Sequence, residues 1–273
     1  MTTPPLVSVC CVTYNHEQYI KDAIEGFLIQ ETHSPYEIII HDDCSTDGTA
    51  EIIRDYQQKH PDLITTILQT ENQRSKGKKI FPITFERARC KYIALCEVDD
   101  YWTDPHKLQK QVEFLEAHQD CVICCTKADL LDQLKEEIQI GVIGPPGAKQ
   151  IYTLNDVLEF GGVCPTLTTL FRNGLISDFP KWFFECAIGD YPLEVLLSSF
   201  GMIGFLDLST AVYRVHRQGV WSGSSPLQNQ LALIKTHHVI GRNLKLGNRA
   251  SFKKGANRFH RRLAYLYKKE GQY

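Results

Sequence analysis

The chain has 273 residues, of which 43% are hydrophobic, 10% aromatic and 23% charged; this supplies the core of one large domain and excludes a disordered, collagen-like or disulfide-scaffold chain. A formal net charge of −2 argues against a whole-surface nucleic-acid binder, so no nucleic acid is expected as a partner. No apolar run approaches the ~20 residues of a membrane-spanning helix, and residues 1–5 lack the basic and apolar regions of a secretory signal, so a cytoplasmic chain is expected.

In chain order, Val7–Thr13 (VSVCCVT) reads as a buried parallel strand. Ile20, Ile24, Phe27 and Leu28 then share one helical face, which predicts a helix over 17–30. A second strand over 37–41 runs into the polar loop Asp42-Asp43-Cys44-Ser45-Thr46-Asp47-Gly48, followed by a helix over 49–60 that stops at Pro61. A third strand over 63–68, a polar loop over 69–79 and a helix over 80–91 lead to a strand over 92–96. That strand ends in Glu97-Val98-Asp99-Asp100, and a helix over 105–118 and a strand over 121–126 complete the first half. Strands alternating with helices predict a mostly parallel α/β sheet of Rossmann-like kind, with ligands bound beyond the carboxyl ends of its strands. Three strand ends carry polar clusters: Thr13-Tyr14-Asn15-His16, His41-Asp42-Asp43 and Glu97 to Asp100.

The second half is less regular. A turn-rich break over 141–147 is followed by a helix over 155–160 and an alternating, strand-like run over 166–171. Asp190 opens a helix over 190–200 that tolerates Pro192 in its first turn, and strands over 204–206 and 210–215 end at His216. Residues 241–273 hold ten Lys and Arg, Lys245 among them, against one acid, Glu270. Residues 1–240 hold 20 basic and 31 acidic groups. Phe252, Ala256, Phe259, Leu263 and Leu266 form one stripe of a basic amphipathic helix. Such a helix lies on an anionic membrane surface or packs its stripe on the acidic body. Ten cysteines are too few for a disulfide scaffold. Cys121 and Cys124 make a lone C-x-x-C without a second pair at zinc spacing, so buried free thiols in a reducing compartment are expected. The adjacent pairs Cys10-Cys11 and Cys124-Cys125 should face opposite sides of a sheet.

Three carboxylates in four residues, Glu97 to Asp100, repel one another. A divalent hard cation bridging to phosphate oxygens relieves that repulsion. A hydroxyl nucleophile needs a carboxylate to take its proton as it attacks, and Asp190 at the start of a helix is either such a base or a plain cap. His216, flanked by Arg214 and Arg217, suits an anionic group. The basic loop residues Arg74, Lys76, Lys78 and Lys79 are candidates for reaching an anionic ligand, without a choice among them, and Trp221 is a candidate for lining a ligand site or for the core.

The runs VSVCCVTYNHEQYIKDAI, EIIIHDDCSTDGTAEII and YIALCEVDDYW, with GDYPLEVLL and YRVHRQGVWSG downstream, resemble the family 2 inverting glycosyltransferases of bacterial surface-polysaccharide type. The resemblance spans residues 6–223 and implies a GT-A fold over 1–225 with a helical basic segment over 226–273. Within the first unit it implies a nucleotide-binding half, 1–105, and an acceptor-side half, 106–225. By position it implies that Tyr14 packs on the nucleoside base, with Thr13 and Asn15 beside it, and that Asp43, next to Asp42, hydrogen-bonds the base. Asp99 is implied at the ribose, Asp100 and His216 at a Mn²⁺ or Mg²⁺ ion, and Asp190 as the catalytic base. Glu97 stands where the commonest pattern has aspartate. The implied reaction moves a sugar from a UDP-sugar, with inversion, to a glycan or lipid-linked saccharide at the inner face of a membrane. A sugar-nucleotide pyrophosphorylase would carry a glycine-rich loop after the first strand, where this chain has Tyr14-Asn15-His16-Glu17, and a non-catalytic binding module would not need Asp190.

Overall fold

The β-branched and sulfur side chains of Val7–Thr13 form β1, and α1 (Ile20–Leu28), β2 (Tyr36–Asp42), α2 (Thr49–Lys59), β3 (Ile64–Leu68), α3 (Ile80–Phe85) and β4 (Tyr92–Glu97) follow. This computed structural model describes residues 4–147, 149–244 and 249–271; residues 1–3, read above for a secretory signal, and Lys245 of the tail lie outside the described residues. β1 runs parallel between β2 and β4, and β3 is parallel outside β2. The register sets Thr13 opposite Asp42 and Val12 opposite Glu97. The three polar clusters therefore end at one edge of the sheet. Helices cover both faces, which is why these strands are apolar throughout. Cys10 packs in one core layer and Cys11 in the other, as do Cys125 and Cys124, and all ten cysteines are unpaired. α1 buries Ile20, Ala23, Ile24 and Phe27. Its Gly26 permits close approach, since a Cβ there would lie 2.7 Å from the Trp102 carbonyl oxygen.

The second half continues through β5 (Tyr101–Trp102), α4 (Lys107–Ala117), β6 (Cys121–Asp132), β7 (Glu137–Ile143), β8 (Ile151–Tyr152), α5 (Leu154–Phe160), β9 (Leu170–Arg172), α6 (Lys181–Glu185), α7 (Asp190–Ser198) and β10 (Met202–Val215). The strand order is β3-β2-β1-β4-β9-β6-β10-β5, with β9 antiparallel to both β4 and β6 and β10 parallel to β6. Several expected elements change. The helix over 80–91 ends at Phe85, because Ala88 and Cys90 turn into the core ahead of β4. The alternating run over 166–171 is a 3₁₀ turn at Thr166–Thr168 and then β9, because the Pro165 carbonyl collects the Thr168 N–H and the hydroxyls of Thr168 and Thr169. The two strands over 204–215 are one, with register shifts absorbing the polar stretch after Phe205. β6 extends to Asp132 and turns back as β7, so strand occupies the first part of the expected turn-rich break.

α8 (Pro226–Asn243) starts with a reciprocal Ser225–Gln228 capping box and Pro226, and α9 (Arg249–Lys269) follows. The apolar stripe of α9 packs on the body. Phe259 and Leu266 are buried, Gly255 lies against the Leu158 carbonyl, and Arg258 sits 4.5 Å over the Phe160 ring. His237 of α8 bridges the Tyr191 hydroxyl at 2.7 Å and the Phe252 carbonyl at 3.0 Å, and its ring stacks on Phe252. No helix among the described residues is long and apolar enough to cross a membrane.

Candidate active site

The loops after β1 and β2 hold each other. Asn15, at φ 56°, accepts the Thr46 N–H through Oδ1 at 2.7 Å, and its own N–H donates to Ser45 Oγ at 2.8 Å. The N–H groups of His16 and Glu17 reach Thr49 Oγ1 and Asp47 Oδ2. Thr13 is buried, with its hydroxyl 3.2 Å from His16 Nδ1, whereas Tyr14 is 43% exposed and free to meet a planar ligand. Asp42 is buried and accepts the Ser45 N–H and hydroxyl; burial raises its pKa, against the pull of those two bonds. Asp43 accepts the N–H groups of Gln73 (2.7 Å) and Arg74 (3.0 Å), so its carboxylate caps the basic loop. Of the four cations there, Lys76 pairs with Glu71 and Lys78 donates to Gln73. Arg74 faces Glu97, and Lys79 reaches the carbonyls of Cys186 and Ile188.

The acidic cluster after β4 divides by exposure. Asp100 is 2% exposed, and its Oδ1 accepts the Arg214 N–H at 2.8 Å. Burial and the neighbouring Asp99 raise its pKa well above the carboxylate range. The Asp99 side chain is 20% exposed and lies 3.2 Å from His216 Nε2. Burial pushes Asp99 up, but the His216 hydrogen bond and the fields of His16 and His216 outweigh it and hold its pKa low. Glu97 is pushed up to about 8 by burial and by Asp99 and Asp190, with Arg74 pulling the other way. Behind the cluster, the buried Arg214 donates to the Asp99 carbonyl, pairs with Asp22, and lies over the Tyr19 and Tyr101 rings.

Asp190, from the far side of the sequence, comes to the same cleft. Its carboxylate, at the first turn of α7, accepts the Tyr191 N–H at 2.8 Å and shares its field with Glu97. Surrounding protein raises its pKa despite that bond and Lys79. Sequence reasoning missed three participants. Tyr213, on β10 just before His216, has its phenol pKa raised by burial and by Asp100, Glu97, Asp99 and Asp190 together, so it stands among them. His16 places its ring 6.5 Å from that of His216. Glu194, one turn after Asp190, is buried and accepts the N–H groups of Val163 and Cys164. The polar run 13–16 pointed to His16, and proximity to His216 pointed to Tyr213; nothing local marks Glu194. Trp221 is 45% exposed on the loop after His216, not in the core.

Among the described residues no three His, Cys, Asp or Glu side chains form a cage for a metal. The donors present still fit a cation completed by a ligand. Asp99 is partly open, and His216 turns its Nε2 toward it at 3.2 Å, so a carboxylate and an imidazole nitrogen sit side by side. Mg²⁺ and similar ions take one or two carboxylates and fill their remaining positions with phosphate oxygens and water.

The solved structure of residues 1–349 of Staphylococcus aureus TarS in complex with UDP-GlcNAc matches with a TM-score of 0.66 at 21% identity, over 94% of this chain and 72% of that one. A Pyrobaculum calidifontis mannosyltransferase in complex with GDP-Man and Mn²⁺ matches at 0.64 and 17% identity, over 94% and 74% of the two chains. The mostly parallel, helix-flanked sheet is that of the GT-A glycosyltransferases. The pattern of glycosyl transferase family 2 matches residues 8–176, and the chain belongs to that family. An uncharacterized protein of Mycobacterium tuberculosis is 33% identical over 215 residues, 79% of this chain. The chain spans 60% of that relative's length. TarS itself, a poly(ribitol-phosphate) beta-N-acetylglucosaminyltransferase, is 27% identical over 117 residues, 42% of this chain and 20% of its own.

Proposed function

We propose that this chain is a metal-dependent, inverting hexosyltransferase. It moves a sugar from a UDP-sugar to a hydroxyl of a glycan or lipid-linked saccharide in surface-polysaccharide biosynthesis. The observation that carries the reading is the convergence of Asp190 with Glu97 and Asp99, some ninety residues earlier in the chain, around Tyr213. In this reading residues 1–105 bind the nucleotide, residues 106–225 receive the acceptor, and the helical segment 226–273 closes the fold. Tyr14 stacks on the base, Asp43 and the loop it caps line the nucleoside, and Thr13, Asn15 and Asp42 hold that wall in shape.

In this reading Asp99 and His216 would hold a Mn²⁺ or Mg²⁺ ion, and the buried Asp100, which accepts the Arg214 N–H, would fasten the loop, where the resemblance implied Asp100 for the ion and Asp99 for the ribose. When bound, the cation offsets the charge that develops on the leaving diphosphate. Asp190 takes the proton from the acceptor hydroxyl as the oxygen attacks the anomeric carbon, and its raised pKa makes it a stronger base than an ordinary carboxylate. Attack from the face opposite the diphosphate inverts the centre, so an α-linked donor gives a β product. Glu97, Arg74, Lys79 and Trp221 line or support the cleft. The ligands bound by the structural neighbours, UDP-GlcNAc and GDP-Man with Mn²⁺, support a nucleotide-sugar donor and a divalent ion. The outward cationic face of α9 supports peripheral attachment to an anionic inner membrane surface.

A panel of UDP- and GDP-sugars, assayed for nucleotide release with Mn²⁺, Mg²⁺ or chelator, tests the reading. Cation-dependent turnover of a UDP-sugar is expected. Turnover of none, or turnover indifferent to chelator, refutes it, and a retained anomeric configuration in the product refutes inversion.

A further inference from the structure

We propose that Lys79 is a positioning residue for Asp190: its ammonium fastens the segment that carries the base to the loop capped by Asp43, and so fixes where the Asp190 carboxylate lies. The inference rests on the assignment of Asp190 as base. Lys79 Nζ donates to the carbonyls of Cys186 and Ile188, each at 2.9 Å. The same stretch is held from its other side by Thr236 of α8, whose hydroxyl accepts the N–H groups of Ala187 (3.1 Å) and Ile188 (3.3 Å). Four backbone groups in three residues are thus satisfied by two side chains rather than by a helix or a sheet. Asp190 follows after Gly189. A lysine has three donors, and two of them are spent here on neutral carbonyls. It is therefore built in as a clamp, half-buried with its ammonium 5.6 Å from the Phe183 ring centroid.

The other end of the clamp is the basic loop. Asp43 accepts from Gln73 and Arg74, and the Asn72 side chain donates to the Asp43 carbonyl at 3.0 Å. Lys78 closes back on Gln73 at 2.7 Å. One short segment thus joins the residue read as facing the nucleoside to the residue read as base. Charge adds to position. The groups facing Asp190 are Glu97 from β4, Glu194 from α7, Tyr213 from β10 and Lys79. Lys79 is the cation among them, and it lowers the Asp190 pKa against burial. Removing the ammonium lets that pKa rise further, whereas loss of shape alone does not remove a charge.

Three full-length variants separate clamp from charge: Lys79→Met, Lys79→Gln and Lys79→Arg. The Asp190 carboxyl is titrated by ¹³C NMR, its line assigned by its absence in Asp190→Asn, and amide exchange is followed over residues 186–190. Lys79→Met is expected to move the Asp190 midpoint to higher pH and to speed exchange about tenfold or more. Lys79→Gln is expected to move the midpoint with a smaller rise in exchange, and Lys79→Arg to leave the midpoint at its wild-type place. In turnover, Lys79→Met lowers kcat by about tenfold to a hundredfold with donor KM nearly unchanged, the cost of misplacing a base. A midpoint and exchange rates in Lys79→Met equal to wild type overturn the proposal. An Asp190→Asn protein that turns over at the wild-type rate refutes the base assignment instead, and the titration, which needs no turnover, tells the two failures apart.

Discussion

Replacing Gly255 by alanine sets two known effects against each other. In an isolated helix the change stabilises by about 1 kcal/mol, because glycine loses more backbone freedom. In this protein the new Cβ would lie 2.2 Å from the Leu158 carbonyl oxygen and 3.1 Å from His237 Cε1. The first neighbour is backbone of α5 and cannot rotate away. α9 must retreat by roughly an ångström, which loosens the packing of Phe259 and Leu266; overpacking of this kind costs about 1–3 kcal/mol. Set against the helical gain, the clash leaves a net loss of up to about 2 kcal/mol. For a chain of this size that lowers Tm by up to about 8 °C in a calorimetric scan. Asn257→Ala, on the exposed side of the same helix, supplies the control and should raise Tm slightly. A Gly255→Ala protein that gains stability as Asn257→Ala does would show that α9 is not seated on α5.

Asp190→Asn keeps the shape of the base and removes its function, so transfer should fall by about 10²–10⁴-fold while UDP binding, measured calorimetrically, stays near wild type; near-normal turnover moves the base elsewhere. Asp99→Ala should abolish the Mn²⁺-dependent part of UDP binding, whereas Asp100→Ala should chiefly lower Tm by leaving the buried Arg214 N–H unpaired; the opposite pattern restores Asp100 to the cation. Glu97, raised to about 8 from an ordinary 4.5 by burial and by Asp99 and Asp190, keeps a proton in the folded chain that the unfolded chain releases. Its stabilising contribution is full below pH 4.5 and is lost as pH rises to 8, so stability should fall across that window and Glu97→Gln should flatten the fall in a pH series of melts. The full chain should sediment with anionic vesicles at low salt and leave them as salt rises, at about 1 kcal/mol per Lys or Arg near the surface; indifference to such vesicles ends the membrane reading.

The strands of the first half were legible because each is an apolar run with a polar end, and a parallel sheet brings such ends to one edge. Thr13, Asp42 and Glu97 fall there by register. The pairing of adjacent cysteines with opposite core layers followed from the period of two. That the Arg214 N–H goes to Asp100 rather than Asp99 was not legible, since neighbours in sequence carry no mark of which one a distant donor will claim. Lys79 read as one of four loop cations because its partners are carbonyls more than a hundred residues away. The run 166–171 misled because alternation ignores a proline carbonyl that gathers three donors. The tail stripe fitted two surfaces equally well in sequence; in the fold it is taken by α5 and α8, which leaves the charged side outward.

The Tyr191–His237–Phe252 bridge ties the last helix to the segment that carries Asp190. Tyr191 is the neighbour of Asp190, and its hydroxyl reaches, through one imidazole, a carbonyl of α9. Cutting the chain before α9 therefore does more than trim a surface appendage: it strands the buried His237 imidazole and the Tyr191 phenol next to Asp190.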